Sequence, residues 1–532
     1  MNKAKKITLK ILITLIFAFI LYYIFLPALN IKSEGFWLFV VGVYVFGLVI
    51  FNIFESSKSP NIKKTSNLTK GSNISLLLLS AVIIIFILIK IIDSPLIRAK
   101  SYSKLIEKDI TQHSFDDYEA TIGNVPLLDK DSAMKIANRK LGGLQDVISQ
   151  YEINDTEQIT VRGVPARVAA LNHASFFKWI SNRKTGTPGF IKVDMNSQEA
   201  DLIRVDGGMN YTKSDYFFRN IDRYLRIKYP TKIFWESTLE LDEDENPYWL
   251  TAIIDKKIGL FGGEEVIGAV LVNIVTGEHT KYDLDEIPEW VDNVYGSSLL
   301  LDQYDSYGTY QKGYINSLIG QKGVKRTTEG YNYIPQGDDN WIYTGVTSVG
   351  KDESNIAFVL MNKRTKETYE YPISGAEEFS AMESAEGAVQ HLGYISTFPL
   401  LLKIENQPTY LVSLKDSGGL VKLYGMVNVE KYQLVATASS IAETLSEYKK
   451  LLRESGTVLA SSDSISISGT IEDIRTATMD GNSVYFIKLI DDKTYYLLEI
   501  LDNPAVSLVN IGDKIKLDVE ESSNDIINAK LR

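Results

Sequence analysis

Three apolar runs open the chain, Ile7 to Leu29, Phe36 to Phe54 and Ile74 to Ile92, each nearly free of charge. A helix needs about 20 such residues to cross about 30 Å of hydrocarbon, so the pattern predicts three transmembrane helices within residues 1–96. Tyr22, Tyr23, Trp37 and Tyr44 supply aromatic side chains suited to the membrane interface. No small-x-small cleavage site follows the first run, which argues against a removable signal peptide. Lys90 lies near the end of the third run, where its stem can snorkel. It reads as an anchor.

Past residue 96 the pattern changes to amphipathic helices set among strands. One helix starts with Asp131 as its N-cap, spaces Met134, Ala137 and Leu141 on one face and stops at Gly142-Gly143. A second runs from Ser214 through Phe217, Ile221, Tyr224 and Leu225 to Pro230. A third carries Met382, Ala385, Val389 and Leu392 and stops at Gly393. The fourth opens on the capping box Ser440 to Glu443 and presents Ile441, Leu445, Tyr448 and Leu452.

The strands carry an internal repeat. Phe190 to Ile203, Ala269 to Tyr282, Ala357 to Tyr369 and Leu423 to Val435 each run through an apolar strand to an Asn or Asp, then a polar turn and a returning strand. This is hairpin chemistry, and helices upstream of the hairpins predict one helix laid across each antiparallel sheet, an α+β layer. The expected boundaries are 97–210, 211–325 and 326–455 for three such units. After a polar linker from Glu454 to Ser464, about five short strands between 465 and 532 predict a small β-barrel. The stretch Asn510 to Leu517 is similar to segments of OB-type barrels.

The capped helix with Ala133 and Ala137, followed by strands ending in Val272-Asn-x-x-Thr-Gly-Glu278, resembles the PepSY module, a cystatin-like unit of peptidase propeptides and bacterial envelope proteins. The whole chain is similar to membrane-anchored proteins of low-GC Gram-positive bacteria, a resemblance that brings no assigned activity. PepSY similarity implies a binding or inhibitory module and carries over no catalytic residue.

Charge sets the expected orientation. Residues 1–96 hold ten Lys and three acids, leaving 46 basic and 64 acidic residues beyond. Lys3, Lys5 and Lys6 precede the first run and Lys58, Lys63, Lys64 and Lys70 fill the loop after the second, whereas the first loop has only Lys32. Positive residues stay inside, so the N-terminus is expected in the cytoplasm and residues 97–532 outside. An exported part without cysteine suits a Gram-positive surface.

Composition narrows the chemistry. With no cysteine, thiol catalysis, disulfide frameworks and zinc ribbons are excluded. A net charge of −11 argues against nucleic acid, as do the five aspartates among the barrel strands. His113, His173, His279 and His391 show no helical zinc spacing, and no Gly-x-Ser-x-Gly elbow or phosphate loop occurs. No cofactor is expected. Two clusters stand out. Trp179, Arg183 and Lys184 with Arg219, Arg223 and Arg226 form a candidate basic, aromatic site for an anionic polymer or acidic partner. Asp242, Asp244 and Asn246 are candidate calcium ligands, although Pro247 and Ile253 stand where an EF-hand needs Gly and Glu. Carboxylate pairs Glu236 with Glu240, Asp302 with Asp305 and Glu377 with Glu378 keep a glycosidase open.

The expectation is a non-enzymatic, multi-pass envelope protein whose outer part binds or regulates an envelope protein or an anionic wall polymer. The alternatives are a carboxylate-dependent wall hydrolase and an accessory subunit of a transport or polymer-export complex. A homo-oligomer stays open.

Overall fold

The computed structural model describes residues 3–56, 70–118, 125–348, 354–455, 464–479, 482–490, 492–500, 504–520 and 526–531. Lys58, Lys63 and Lys64, and most of the 454–464 linker, lie outside them. The chain packs as two compact units, Met1–Leu451 and Leu452–Arg532.

Helices α1 (Lys3–Phe25), α2 (Glu34–Ser56) and α3 (Lys70–Asp93) correspond to the three apolar runs. The stretches Lys5–Phe25 and Glu34–Phe51 are long and apolar enough to cross a membrane. The third run qualifies only together with α4 (Pro95–Tyr102), into which it bends by 41°. Lys10 on α1 donates to the Phe51 carbonyl of α2 at 2.9 Å, so this ammonium finds an acceptor among apolar neighbours. Lys90 pairs with Glu34 at 2.8 Å.

The rest of the first unit is a fourfold repeat, one more than the sequence predicts, because range 326–455 holds two sheets. Each repeat is a helix followed by a four-stranded antiparallel meander. Helix α5 (Lys130–Gly142) precedes strands Glu157–Val161, Val164–Ala170, Thr187–Asp194 and Ala200–Met209. The short α6 (Phe176–Asn182) interrupts that meander. Helix α7 (Ile221–Lys228) precedes Thr238–Leu241, Pro247–Ile258, Gly262–Asn273 and His279–Tyr282. Helix α8 (Ser297–Tyr310) precedes Asn332–Gln336, Asp339–Ser348, Ser354–Asn362 and Thr368–Tyr371. Helix α9 (Glu378–Ala388) precedes Leu400–Ile404, Gln407–Lys415, Val421–Asn428 and Val435–Ala438, and α10 (Ile441–Glu454) follows.

The same device turns the last hairpin of every repeat. The side-chain Oδ1 of Asp194, Asn273, Asn362 and Asn428 accepts the amides two and three residues on, at 2.7 to 3.1 Å. A short oxygen-bearing side chain at the strand end thus satisfies amides that leave the ladder. In the first three repeats the residue four positions on takes positive φ: Gln198, Gly277 and Lys366. The fourth loop is one residue longer, closing from the Asn428 amide to the Leu434 carbonyl.

Helices and sheets alternate as layers. Leu250, Ala252, Ala269 and Leu271 of the second sheet join Leu299, Leu300 and Tyr304 of α8 and Ile342, Val359 and Met361 of the third sheet in one core. The opposite faces, Trp249, Ile253, Val270 and Val272, meet Ile221 and Leu225 of α7 and Ala166, Val168 and Phe190 of the first sheet. Burial on both faces explains why Ala269-Val-Leu-Val272 is continuously apolar where a one-sided strand would alternate. The first and fourth repeats also meet: Lys415 pairs with Asp129 at 2.5 Å and Gln198 Nε2 donates to the Tyr424 hydroxyl at 2.8 Å.

Two expected helices shift at their starts. Asp129, not Asp131, caps α5 by accepting the Ser132 amide at 2.9 Å. Helix α7 begins only at Ile221, with Asn220 accepting the Arg223 amide, because Phe217 adopts φ +56° and breaks the path from Ser214. Helices α6 and α8 form where the pattern of apolar positions predicts none. The tail forms a closed five-stranded barrel around Ile487, Leu498 and Leu517; its third and fifth strands, Tyr495–Glu499 and Ile526–Leu531, are parallel.

Candidate functional site

The apolar helices are fastened to the second repeat by polar contacts at their ends. The Asp93 carboxylate, where α3 stops, accepts the amides of Leu260 at 2.7 Å and Phe261 at 3.1 Å in the hairpin turn of the second sheet. A Cβ at Gly259 in that turn would overlap the carboxylate, so only glycine permits the approach. Tyr102 of α4 donates to the Asp93 carbonyl at 2.9 Å, and Lys32 pairs with Asp255 at 2.8 Å. At the end of α1, the Leu26 carbonyl accepts Arg226 Nε at 2.9 Å and the Leu29 amide donates to the Pro230 carbonyl at 2.7 Å.

These contacts divide the expected basic, aromatic cluster. Arg226 is buried and spends its guanidinium on the carbonyls of Leu26 and Lys232, the latter at 2.5 Å. Arg223 lies over the Tyr23 ring of α1, 4.2 Å from its centroid, and donates to the Phe217 carbonyl at 3.1 Å. Both therefore act on the ends of the apolar helices. Trp179 is buried as well, its Nε1 donating to Asp215 at 2.9 Å between Phe176 and Tyr216. Arg219 reaches the Arg183 carbonyl at 2.8 Å, and Arg183 and Lys184 stay exposed. What the structure brings together is Trp179, Arg183, Lys184 and Arg219, surrounded by exposed phenylalanines.

The acidic hairpin tip has a structural occupation. Asp242 accepts the amides of Asp244 at 3.0 Å and Asn246 at 2.8 Å, and both its oxygens take the Asn246 side chain. Asp242 and Asn246 are thus committed to closing the turn, and among the described residues no group of three or more His, Asp or Glu is arranged to hold a metal ion. Asp244 and Asn246 instead line a polar cleft of about 580 Å³, faced by Arg162, Arg204, Asp206 and Glu245. The cleft lies between the hairpins of the first two repeats. Sequence reasoning missed it because Arg162 and Arg204 are remote in the chain.

A second feature invisible in the sequence is a buried charged cluster where the first three sheets meet. Glu240 accepts the amides of Asp292 and Asn293, each at 3.2 Å, and the Asn293 side chain at 2.7 Å. Asp292 in turn accepts the amides of Thr160 at 2.5 Å and Asn340 at 3.0 Å. Lys363, also buried, bonds to Asn293 Oδ1 and lies over the Tyr333 ring at 4.8 Å. Burial pushes the Glu240 carboxyl up to about 7 and holds that of Asp292 well above the ordinary range, while it lowers Lys363.

The remaining chemical candidates fall inside the protein or into ordinary pairs. Glu240 and Glu378 are fully buried, out of reach of a polymer substrate. Glu236 pairs with Lys213 at 2.9 Å, and Asp305 accepts the Thr327 amide at 2.7 Å. His173 is buried and pushed down to about 4 by that burial, and His279 bonds to the Tyr229 hydroxyl at 2.9 Å. His113 packs on Tyr369.

No protein-family model matches the sequence, and no curated protein matches it.

Proposed function

We propose that this chain is a multi-pass, membrane-anchored envelope protein whose outer part carries a non-enzymatic binding platform. The N-terminus lies in the cytoplasm, α1, α2 and α3 cross the membrane, and residues 97–532, α4 included, lie outside. The observation that carries the reading is the fastening of the repeats to the apolar helices: Asp93, Arg226 and Lys32 each bond across that junction. A catalytic domain on a tether needs no such fixing; a surface presented at a set height and angle does. The four helix-and-meander repeats are PepSY-like and the tail is OB-like, both suited to binding.

The partner site is the polar cleft. Arg204 also pairs with Asp146 and Glu245 with Lys192, but with Arg162, Asp206 and Asp244 the cleft still presents both signs of charge and suits a segment carrying both, such as an envelope protein's peptide loop, better than a uniformly anionic wall polymer. In vivo cross-linking of the full-length protein, gentle solubilisation and identification of what accompanies it test this. A stoichiometric protein lost on Asp244→Arg supports the reading; wall polymer alone, or the same yield from the variant, overturns the cleft assignment. Maleimide labelling of Tyr432→Cys on intact cells checks the orientation, which fails if labelling needs lysis.

The same fastening favours one further reading, an accessory subunit of a membrane complex, because motion of the spans would reach the platform directly. Replacing the spans with an unrelated anchor separates the two: a pure platform keeps its partner, whereas a coupled subunit does not.

A further inference from the structure

The surface nearest the ends of the apolar helices carries two exposed apolar tips. We propose that both insert into the interfacial layer of the outer leaflet, so that the outer unit lies against the phospholipid bilayer; this rests on the membrane-spanning reading above. On the first tip, Phe177 of α6 is 77% exposed and Phe218 of the following repeat 69%. Its position is fixed by Arg223, which holds the Phe217 carbonyl and stacks on Tyr23, two residues before α1 ends. On the second tip, in the turn after α8, Ile319 is 83% and Ile315 74% exposed. Helix α8 packs along α4, the element that follows α3 directly and whose Tyr102 bonds to the Asp93 carbonyl. The tips thus come from different repeats and flank the outer ends of different helices.

Neither tip is a loose loop. The second is closed by the Gln321 amide on the Asn316 carbonyl at 2.6 Å and by Asn316 Nδ2 on the Lys322 carbonyl at 3.2 Å. The first is pinned by Trp179 on Asp215. Large apolar side chains held rigidly toward solvent mark a surface that meets something apolar. The charge around them identifies it. Arg183, Lys184 and Arg219 surround the first tip, and Lys312 and Lys322 flank the second, all exposed on a chain whose net charge is −11. Apolar tips rimmed by cations match acyl chains beneath phosphate headgroups. A bilayer is also the one partner that the adjoining spans place at this height.

The cysteine-free chain allows a direct test. Single variants Phe177→Cys, Ile319→Cys and, as a control in the fourth repeat, Tyr432→Cys are labelled with an environment-sensitive NBD fluorophore. The full chain is then reconstituted into phosphatidylcholine–phosphatidylglycerol vesicles containing a shallow doxyl lipid. At 177 and 319 the emission should shift to the blue, lose intensity to the doxyl lipid and resist aqueous iodide, whereas position 432 should behave as in water. Phe218→Cys and Leu318→Cys repeat the measurement if either first-choice variant fails to fold. Flotation after an alkaline wash reports separately on the spans. Protein that does not float overturns the membrane reading and the proposal together. Protein that floats with either tip open to iodide overturns the proposal alone.

Discussion

Replacing Glu240 by glutamine should remove a pH dependence of stability, leaving the variant less stable than wild type in acid and at least as stable above pH 7. Burial lifts this carboxyl from an ordinary 4.5 to about 7. At about 1.4 kcal/mol per tenfold change in proton affinity, that corresponds to about 3 kcal/mol. Below pH 4.5 the folded and unfolded chains both hold the proton and nothing is lost. As pH rises through the window from 4.5 to 7 the unfolded chain releases the proton first, so stability falls by about 3 kcal/mol and levels off above 7. Glutamine cannot ionise, so that slope disappears. The charge on Glu240 also raises Asp292, so its removal flattens the contribution of Asp292 in the same sense. The amide has its own cost: Glu240 uses both oxygens as acceptors, so a glutamine NH₂ must face a donor such as the Asp292 amide, losing about 1–3 kcal/mol at every pH. Thermal unfolding of wild type and variant in detergent from pH 4 to 8, followed by tryptophan fluorescence, reads both effects. Because other groups titrate alike in both proteins, their difference isolates the cluster. A variant that keeps the wild-type slope would show that Glu240 does not titrate in this window.

Three further outcomes follow from the polar contacts. Asp93→Ala leaves the Leu260 and Phe261 amides without their acceptor, costing about 1–3 kcal/mol; limited proteolysis should cut the 259–262 turn faster, and unchanged cutting would remove the fastening from the argument. Asn362→Ala abolishes two turn hydrogen bonds and one to Asp339, lowering stability by about 1–3 kcal/mol, and Asn362→Asp, although it keeps the turn acceptor, should destabilise too because it sets a carboxylate against that of Asp339; melts of both variants check this. At Asp129, burial opposes ionisation, but Lys415 and Ser132 outweigh it and lower the carboxyl below its usual range. Its contribution is therefore present near neutrality and lost as pH falls through the folded value. Asp129→Asn should destabilise at pH 7 and converge on wild type in acid, measured by the same melts.

Everything that repeats locally is encoded in neighbouring residues. Nearly charge-free runs of about twenty residues dictate helices wherever they lie. An Asn or Asp at the end of an apolar strand dictates the turn, because its side chain reaches amides only two and three residues away, and all four hairpins stand where that signal put them. Alternation in the tail gave its five strands. Whatever depends on distant neighbours emerges only when the chain packs. Helix α8 was hidden because its sides are shared between two sheets, which leaves Leu299-Leu-Leu301 without a clean polar face. Arg223 and Arg226 read as free cations until the end of α1 took them as clamps. Glu240, Asp292 and Lys363 lie in three separate segments of ordinary-looking sequence, and only the junction of three sheets makes them one buried cluster. Short-range hydrogen bonding and hydrophobic length are written in neighbouring residues; desolvation and enclosure are not, since each depends on what the fold brings from elsewhere.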